Sequence, residues 1–447
     1  MLSPSFLARM KRILGDRFEG YEESFSLPRK NALQLNRTKG DVSLPFPTEP
    51  ISYYADGRYF SAEKPGSHPL HHAGAYYIQE PSAMAPVASL AGRLPTDARV
   101  LDVCASPGGK TSQLARLFCD SPMIVSNEIV PNRCKTLVGN IERLGFRNVL
   151  CLNSDAEFLE KSFPEAFSVV LCDAPCSGEG MFRKSEDAVE MWSEENVALC
   201  AARQRDILSH VKNCVCPGGY LLYSTCTYSP EENEENISDF LEKNPDFSLC
   251  APGNCFDDVS LPGYAPACRN FDPSLVRRFY PHISGGEGQF FALLRRDGSR
   301  EERAINVKSP LRALTKDESK AACAFLKDTL GHAELSLFAS GENLLILPDG
   351  MCAPARHVFS CGVKLGEYKA GRIVPHHQFF SAFGKDFLRK ADFSSDSDEI
   401  KRYLHGEGFS CSLPDGFCAV TVDGIALGGA KIVDGYLKNH YPKGLRI

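Results

Sequence analysis

The segment Leu101-Asp102-Val103-Cys104-Ala105-Ser106-Pro107-Gly108-Gly109-Lys110-Thr111 constrains this chain more than any other: a short apolar strand enters a turn with adjacent glycines and then a helical pattern. Such glycines permit close backbone approach, which suits a nucleotide-like ligand at the tips of parallel strands. The Gly-Lys-Thr at 109 to 111 resembles the end of a phosphate-binding loop, but Cys104 occupies the position that the loop reserves for glycine, so nucleotide hydrolysis is excluded. The Gly-x-Gly-x-x-Gly dinucleotide pattern is absent too.

From Arg99 onward, short β-branched runs alternate with helical patterns. Strands are predicted at Arg99 to Val103, Met123 to Ser126, Val149 to Asn153, Ser168 to Cys172 and Tyr220 to Ser224, with helices over Thr111 to Phe118, Asn132 to Leu144 and Asp187 to Cys214. This predicts the α/β class: a mostly parallel, doubly wound, Rossmann-like sheet. The run Phe290 to Leu294, ahead of the charged Arg295-Arg296-Asp297-Gly298, reads as a closing strand, and the core ends near Ser299.

At 447 residues, 43% of them hydrophobic, the chain exceeds one ordinary domain. The boundaries expected are an α+β lobe over 1–95, the core over 96–298, a connecting segment over 299–385 and a partly β module over 386–447. Met1 to Gly20 reads as an amphipathic helix carrying Leu2, Phe6, Met10, Ile13 and Leu14 on one face. Its basic residues raise a transit peptide as the rival reading, which the ordinary globular text after Gly20 opposes. No stretch reaches ~18 consecutive apolar residues, so no spanning helix is expected and a soluble, cytoplasmic protein is. With 50 Lys plus Arg against 56 Asp plus Glu the formal charge is -6, leaving no global basic field for nucleic acid but room for a local one.

The 18 cysteines contain no Cys-x-x-Cys pair, so neither a disulfide framework nor a metal site is expected. Two of them stand where chemistry is expected. The fourth strand delivers Asp173-Ala174-Pro175-Cys176-Ser177-Gly178-Glu179-Gly180 and the fifth delivers Ser224-Thr225-Cys226-Thr227. Glu128, about 20 residues after Gly109, is placed to accept hydrogen bonds from ribose hydroxyls, and Asp155, after the third strand, to receive an adenine amino group. Each acid alone is explained equally by a helix cap or a solvated loop, but together at strand ends they point to an adenosyl ligand. Pyrimidine C5 is a poor nucleophile, and methylating it requires prior attack at C6 by a soft nucleophile such as a thiolate. Asp173 is placed to hydrogen-bond near N3 and the exocyclic amine of the base. Buried, inert cysteines are the competing explanation, adequate for either cysteine singly and less so for two in polar turns at neighbouring strand tips.

These motifs resemble the Sun/RsmF-type RNA cytosine-5 methyltransferases. The family's cofactor loop is matched by Cys104, Ala105, Ser106, Pro107, Gly108, Gly109 and Lys110, with Ser106 where alanine is frequent. Its Asp-x-Pro-Cys-Ser-Gly element is matched by Asp173 to Gly178, and its Ser-Thr-Cys-Thr element by Ser224 to Thr227, followed by Pro230-Glu231-Glu232-Asn233-Glu234. Tyr77 to Ser82 and Arg278 to Phe290 extend the likeness over roughly residues 25 to 296. The resemblance implies S-adenosyl-L-methionine as cofactor, held by residues 104 to 110, Glu128, Asp155 and Asp173. It also implies Cys226 as nucleophile, Cys176 as the residue that assists product release, and 5-methylcytosine in RNA as product.

The tail, with Lys431, Lys438, Lys443 and Arg446 against Asp434, carries an excess of +3 over Gly428 to Ile447 and looks like the PUA-like extension of the bacterial ribosomal RNA members. Its interleaved Tyr436, His440 and Tyr441 suit base stacking, and a solvated terminus is the plain alternative. The N-terminal lobe is expected to contact RNA as well. His282 is read as an RNA contact or an organiser of the site, or equally as a structural histidine capping a turn. Glu231 to Glu235 reads as an exposed helix start. Small-subunit ribosomal RNA or the ribosomal subunit is the expected partner, with transfer RNA as the rival substrate and no obligate protein partner. A noncatalytic ribosome-assembly factor is the rival from another class. An amino-group methyltransferase is disfavoured, because its Asp/Asn-Pro-Pro-aromatic turn needs no thiol.

Overall fold

Between residues 99 and 225 the alternating apolar runs and helical patterns build five parallel strands: Val100–Asp102, Ile124–Asn127, Val149–Leu152, Phe167–Asp173 and Val215–Thr225. In this computed structural model, which describes residues 2–447, they lie side by side in the order fifth, fourth, first, second, third. Their side chains are buried on both faces, as a parallel sheet covered by helices requires. The order reverses between the first and fourth strands, so the ligand crevice of the sheet lies beyond their carboxyl ends. Asp102 and Asp173 are the last residues of those two strands.

Gln289–Arg296 closes one side, antiparallel to Val215–Thr225, and itself pairs with Phe247–Leu249 and Val276–Phe279. At the far edge Val358–Cys361 pairs antiparallel with Val149–Leu152. That strand comes from beyond Ser299: the chain returns to cover an edge that would otherwise expose unpaired backbone groups.

The single helix expected from Asp187 to Cys214 is instead Glu186–Glu190 and Glu194–Val211, followed by a 3-10 turn over Lys212–Cys214. Ser185 and Ser193 each accept from an amide three residues on, so both act as N-caps. Between the two helices Trp192 turns inward, its indole Nε1 donating to Glu179 at 2.8 Å.

Met1, where the amphipathic stretch begins, lies outside the described residues. The helix Pro4–Leu14, capped by Ser3, buries Phe6, Met10 and Leu14 in a cluster with Phe182, Trp192 and Tyr280, directly behind the loops that carry the cysteines. The lobe's antiparallel sheet runs in the order Thr48–Ile51, Tyr54–Phe60, Asn31–Leu35, Tyr76–Ile78. C-terminal to the core, helix Lys316–Leu330 packs with a four-stranded antiparallel sheet over residues 337–375. A five-stranded curled sheet follows, in the order Lys390–Phe393, Gly416–Val422, Ile425–Val433, Tyr436–Asn439, Phe409–Ser410. Among the described residues no helix is long and apolar enough to cross a membrane.

Candidate active site

A cleft of about 270 Å³ opens at the reversal point of the sheet. On one side are Cys104, Ala105, Ser106, Pro107, Gly109, Lys110 and the strand-end acids Asp102 and Asp173; on the other are Tyr77 to Glu80 of the N-terminal lobe. Gly108 has φ +110°, a conformation that L side chains rarely adopt, and a Cβ on Gly109 would stand 3.1 Å from Tyr77 and Gln79. The helix Gly109–Leu117 starts at this loop. Gln34 Nε2 donates to Gln79 Oε1 (2.6 Å), the Gly109 carbonyl (2.9 Å) and Ser112 Oγ (2.9 Å), so a buried lobe residue fastens the loop. Nothing in the motif reading singled out Gln34, since an isolated glutamine in a strand carries no spacing signal.

Asp173 and Lys110 form an ion pair at 2.7 Å inside the cleft, and Ser224 Oγ donates to the other Asp173 oxygen at 2.6 Å. Burial disfavours the Lys110 cation, but the charge and hydrogen bond of Asp173, with help from the Cys226 sulfur, outweigh it and hold the Lys110 pKa above the ordinary lysine value. Asp102 is buried, accepts from Thr111 Oγ1 on one oxygen at 2.7 Å and has no partner on the other. Burial pushes its pKa up to about 7, against the pull of Thr111.

The loops after the fourth and fifth strands bring Cys176 Sγ and Cys226 Sγ to 3.2 Å. They are held together by backbone: Gly180 N–H donates to the Cys226 carbonyl at 2.8 Å, and a Cβ on Gly180 would meet that oxygen at 2.8 Å. The Cys176 pKa is pushed well above that of a free thiol, first by its hydrogen bond to Cys226, then by burial and the nearby Cys226 and Glu232 charges.

Glu128 directly follows the second strand and is buried; it accepts from the Val130 amide at 2.9 Å and lies 3.3 Å from Arg133. Arg133 in turn donates to the Ser106 carbonyl, tying Glu128 to the loop. Asp155 caps the helix Ala156–Ser162 by accepting from the Phe158 amide at 2.8 Å. Neither acid lines the cleft itself. Sequence reasoning missed Asn127, which joins three strand tips by donating to the carbonyls of Val103 and Ser154 and accepting from Ser154.

Three expectations need correction. The acidic run after Cys226 is not an exposed helix start. Glu232 and Glu234 are fully buried, the latter paired with Arg278, and Glu231 meets Arg9 of the N-terminal helix at 2.6 Å. Carboxylates there are fixed by side chains distant in sequence, which a charge pattern alone does not reveal. His282 caps nothing: it is half-buried against Tyr21 and Tyr280, with neither ring nitrogen hydrogen-bonded. Tyr441 is buried against Tyr403 and His377 and offers no stacking face, whereas Tyr436 and His440 are exposed.

The model described as 16S rRNA methyltransferase RsmB/F matches residues 91–295, that of the N-terminal domain of 16S rRNA methyltransferase RsmF matches 2–81, and that of the methyltransferase RsmF PUA domain matches 390–447. The ribosomal RNA small subunit methyltransferase F of Erwinia tasmaniensis is 31% identical over 471 residues, covering 99% of this chain and 96% of its own. The crystal structure of a methyltransferase homolog protein from Pyrococcus horikoshii superposes with a TM-score of 0.55 at 28% identity, over 66% of this chain and 100% of that one. NSun6 from Pyrococcus horikoshii, crystallised with SFG, has a TM-score of 0.56 at 20% identity over 66% and 99%, a likeness of fold. End-to-end identity of that order, on a sheet whose reversal point carries the Asp173–Lys110 pair, places this chain in the RsmB/F family of 16S rRNA methyltransferases, as a methyltransferase with the N-terminal and PUA domains of RsmF.

Proposed function

We propose that this enzyme methylates C5 of a cytosine in RNA, with small-subunit ribosomal RNA as substrate, through a transient bond between the Cys226 sulfur and ring C6. The observation that carries the reading is the 3.2 Å approach of Cys226 to Cys176 next to the Asp173–Lys110 pair. A half-buried thiol pair at the ligand end of a doubly wound sheet suits chemistry that first adds sulfur to carbon and later expels it.

S-adenosyl-L-methionine fits the cleft: the glycine turn allows a ligand to approach the backbone of residues 104 to 110, and the orphaned Asp102 oxygen is an acceptor awaiting a donor. Glu128, beside the loop, and Asp155, with one oxygen outside its cap, are the acids for the ribose and adenine ends, and Asp173 completes the set. When bound, the cofactor supplies an electrophilic methyl group.

Cys226 as thiolate adds to C6, and the C5–C6 π pair shifts onto C5, which then captures the methyl group. The Asp173 carboxylate, oriented by Lys110 and Ser224, accepts from the exocyclic amine and holds the ring while its charge changes. Loss of the C5 proton to water restores the ring double bond as the C6–S electron pair returns to the Cys226 sulfur, to which the Cys176 thiol stands ready to donate. Exposed Tyr436 and His440 beside Lys431 and Lys438 offer stacking and phosphate contacts for RNA.

The test supplies labelled S-adenosyl-L-methionine and total RNA from a strain lacking this protein. Label in 5-methylcytosine of small-subunit ribosomal RNA is expected. Label confined to transfer RNA redirects the substrate; label on an exocyclic nitrogen, or no transfer, overturns the mechanism.

A further inference from the structure

Glu232 has no place in the steps above, yet it is fully buried between the two cysteine loops. Its Oε2 accepts from the Ser177 amide (3.0 Å) and Gln204 Nε2 (2.7 Å), while its Oε1 meets only the Ser177 hydroxyl (2.5 Å). Ser177 Oγ lies 2.8 Å from Thr227 Oγ1, and Thr227 Oγ1 lies 2.9 Å from Glu179 Oε2. A carboxyl, two hydroxyls and a second carboxyl thus form a line that ties residue 177, next to Cys176, to residue 227, next to Cys226.

Each oxygen–oxygen link in that line needs one proton. The hydroxyls of Ser177 and Thr227 supply one apiece, which is one too few. Glu179 is engaged as an acceptor by the Tyr228 amide, Trp192 Nε1 and the Ser229 hydroxyl. The missing proton therefore belongs on Glu232 Oε1, passing to Ser177, whose own proton goes to Thr227, whose proton goes to Glu179. With Glu232 ionised, either Ser177 abandons Thr227 to serve the carboxylate or two oxygens oppose lone pairs in a buried site.

We propose that Glu232 is a positioning residue: protonated, it closes this line and fixes the Cys176 loop against the Cys226 loop, and ionised, it releases them. The inference rests on the reading of the two cysteines as a working pair, and the step it serves is the one that needs both sulfurs, product release. The titratable groups that face Glu232 are Glu179 across the line, Cys176 beside Ser177, Cys200 on helix Glu194–Val211 and Tyr223 on strand Val215–Thr225, whose hydroxyl donates to the Glu232 carbonyl. Among the described residues no lysine or arginine pairs with it, and burial, reinforced by Glu179, pushes its pKa up to about 7 against the hydrogen bonds of Ser177 and Gln204.

Glu232→Gln mimics the protonated state: its amide N–H donates to Ser177 Oγ, its oxygen accepts from the Ser177 amide and Gln204, and it cannot ionise. Full-length wild-type and variant enzymes are compared from about pH 6 to about pH 9 with labelled S-adenosyl-L-methionine and unmodified small-subunit ribosomal RNA. Ionisations common to both enzymes cancel in the ratio of variant to wild-type multiple-turnover rate, and that ratio is expected to rise by up to about fiftyfold from about pH 7 to about pH 9. Covalent RNA is expected to accumulate at alkaline pH in the wild type alone. Infrared difference spectra of the wild type supply an independent arm: a buried protonated-carboxyl band that fades with a midpoint near pH 7 and is missing from Glu232→Gln. A flat ratio overturns the positioning role, and a wild-type spectrum without that band overturns the proton assignment. A product other than 5-methylcytosine refutes the cysteine chemistry instead, and the band then decides whether Glu232 carries its proton.

Discussion

Cys176 and Cys226 share a hydrogen bond at 3.2 Å, and this bond together with burial pushes the Cys176 pKa well above that of a free thiol. In the chemistry proposed above, a sulfur that keeps its proton is the poorer nucleophile and the better donor to a departing thiolate, the part assigned to Cys176. Cys226→Ala is expected to abolish both methylation and the covalent RNA adduct. Cys176→Ala is expected to leave the first turnover measurable while adduct accumulates on denaturing gels. Sustained turnover by Cys226→Ala, or an adduct that persists in it, removes that cysteine from the chemistry. The positions of Asp173, Cys176 and Cys226 at neighbouring strand ends are readable from sequence because strand-to-turn patterns place whatever follows them. Glu179, Glu232 and Gln34 are not readable in that way. Their roles depend on partners 48, 55 and 75 residues distant along the chain, namely Thr227 for Glu179, Ser177 for Glu232 and Gly109 for Gln34, and an acidic run looks the same in sequence whether solvent or protein faces it.

The element that follows Cys226 is the helix Glu234–Lys243, and its first residue is locked to the hairpin strand Val276–Phe279 by the fully buried Arg278–Glu234 pair. Arg278 also donates to the Tyr228 carbonyl at 2.7 Å, so one guanidinium ties the helix start, the loop after Cys226 and the sheet edge. Removing one member of a buried pair strands the other charge without a counter-ion. Arg278→Met is therefore expected to destabilise the core by about 3–5 kcal/mol in denaturant unfolding, and the double variant Arg278→Met with Glu234→Met to regain most of that loss. A double variant no more stable than the single one shows that geometry, not the stranded carboxylate, sets the loss. Period and composition locate four of the five parallel strands to within about a residue, since strands buried on both faces read as continuous apolar runs, whereas the fifth, read from Tyr220, begins at Val215 because Pro217-Gly218-Gly219 interrupts its apolar run. Val358–Cys361 escapes the same reading: it is short, half exposed and defined by the edge it covers.

Across the whole molecule, the N-terminal lobe, the core and the C-terminal body meet at Lys39. Its Nζ donates to the Ser381 carbonyl (2.6 Å), Ser381 Oγ (2.9 Å) and the Ala426 carbonyl (3.3 Å), beside a cavity of about 450 Å³ that Arg147 and Lys385 also line. No carboxylate pairs with it among the described residues, and burial, with Arg143, Arg147 and Lys385 adding repulsion, lowers its pKa to about 7. In the unfolded chain the same group titrates near ~10.4. Between those values the unfolded state binds the extra proton, so stability rises with pH through that window, and the penalty of burying the cation is felt in full below it. Lys39→Met has no such proton to lose. The unfolding free energy of the wild type is therefore expected to gain on that of Lys39→Met as pH increases from about 7 to about 10, by an amount on the order of a few kcal/mol. Groups that do not face Lys39 titrate alike in both proteins and cancel in the difference, and His377, which does face it, titrates below the window. A difference that stays flat over the window means that Lys39 remains an ammonium ion in the folded protein, and its three oxygen acceptors then offset the whole cost of burial and fasten the C-terminal body to the lobe at every pH.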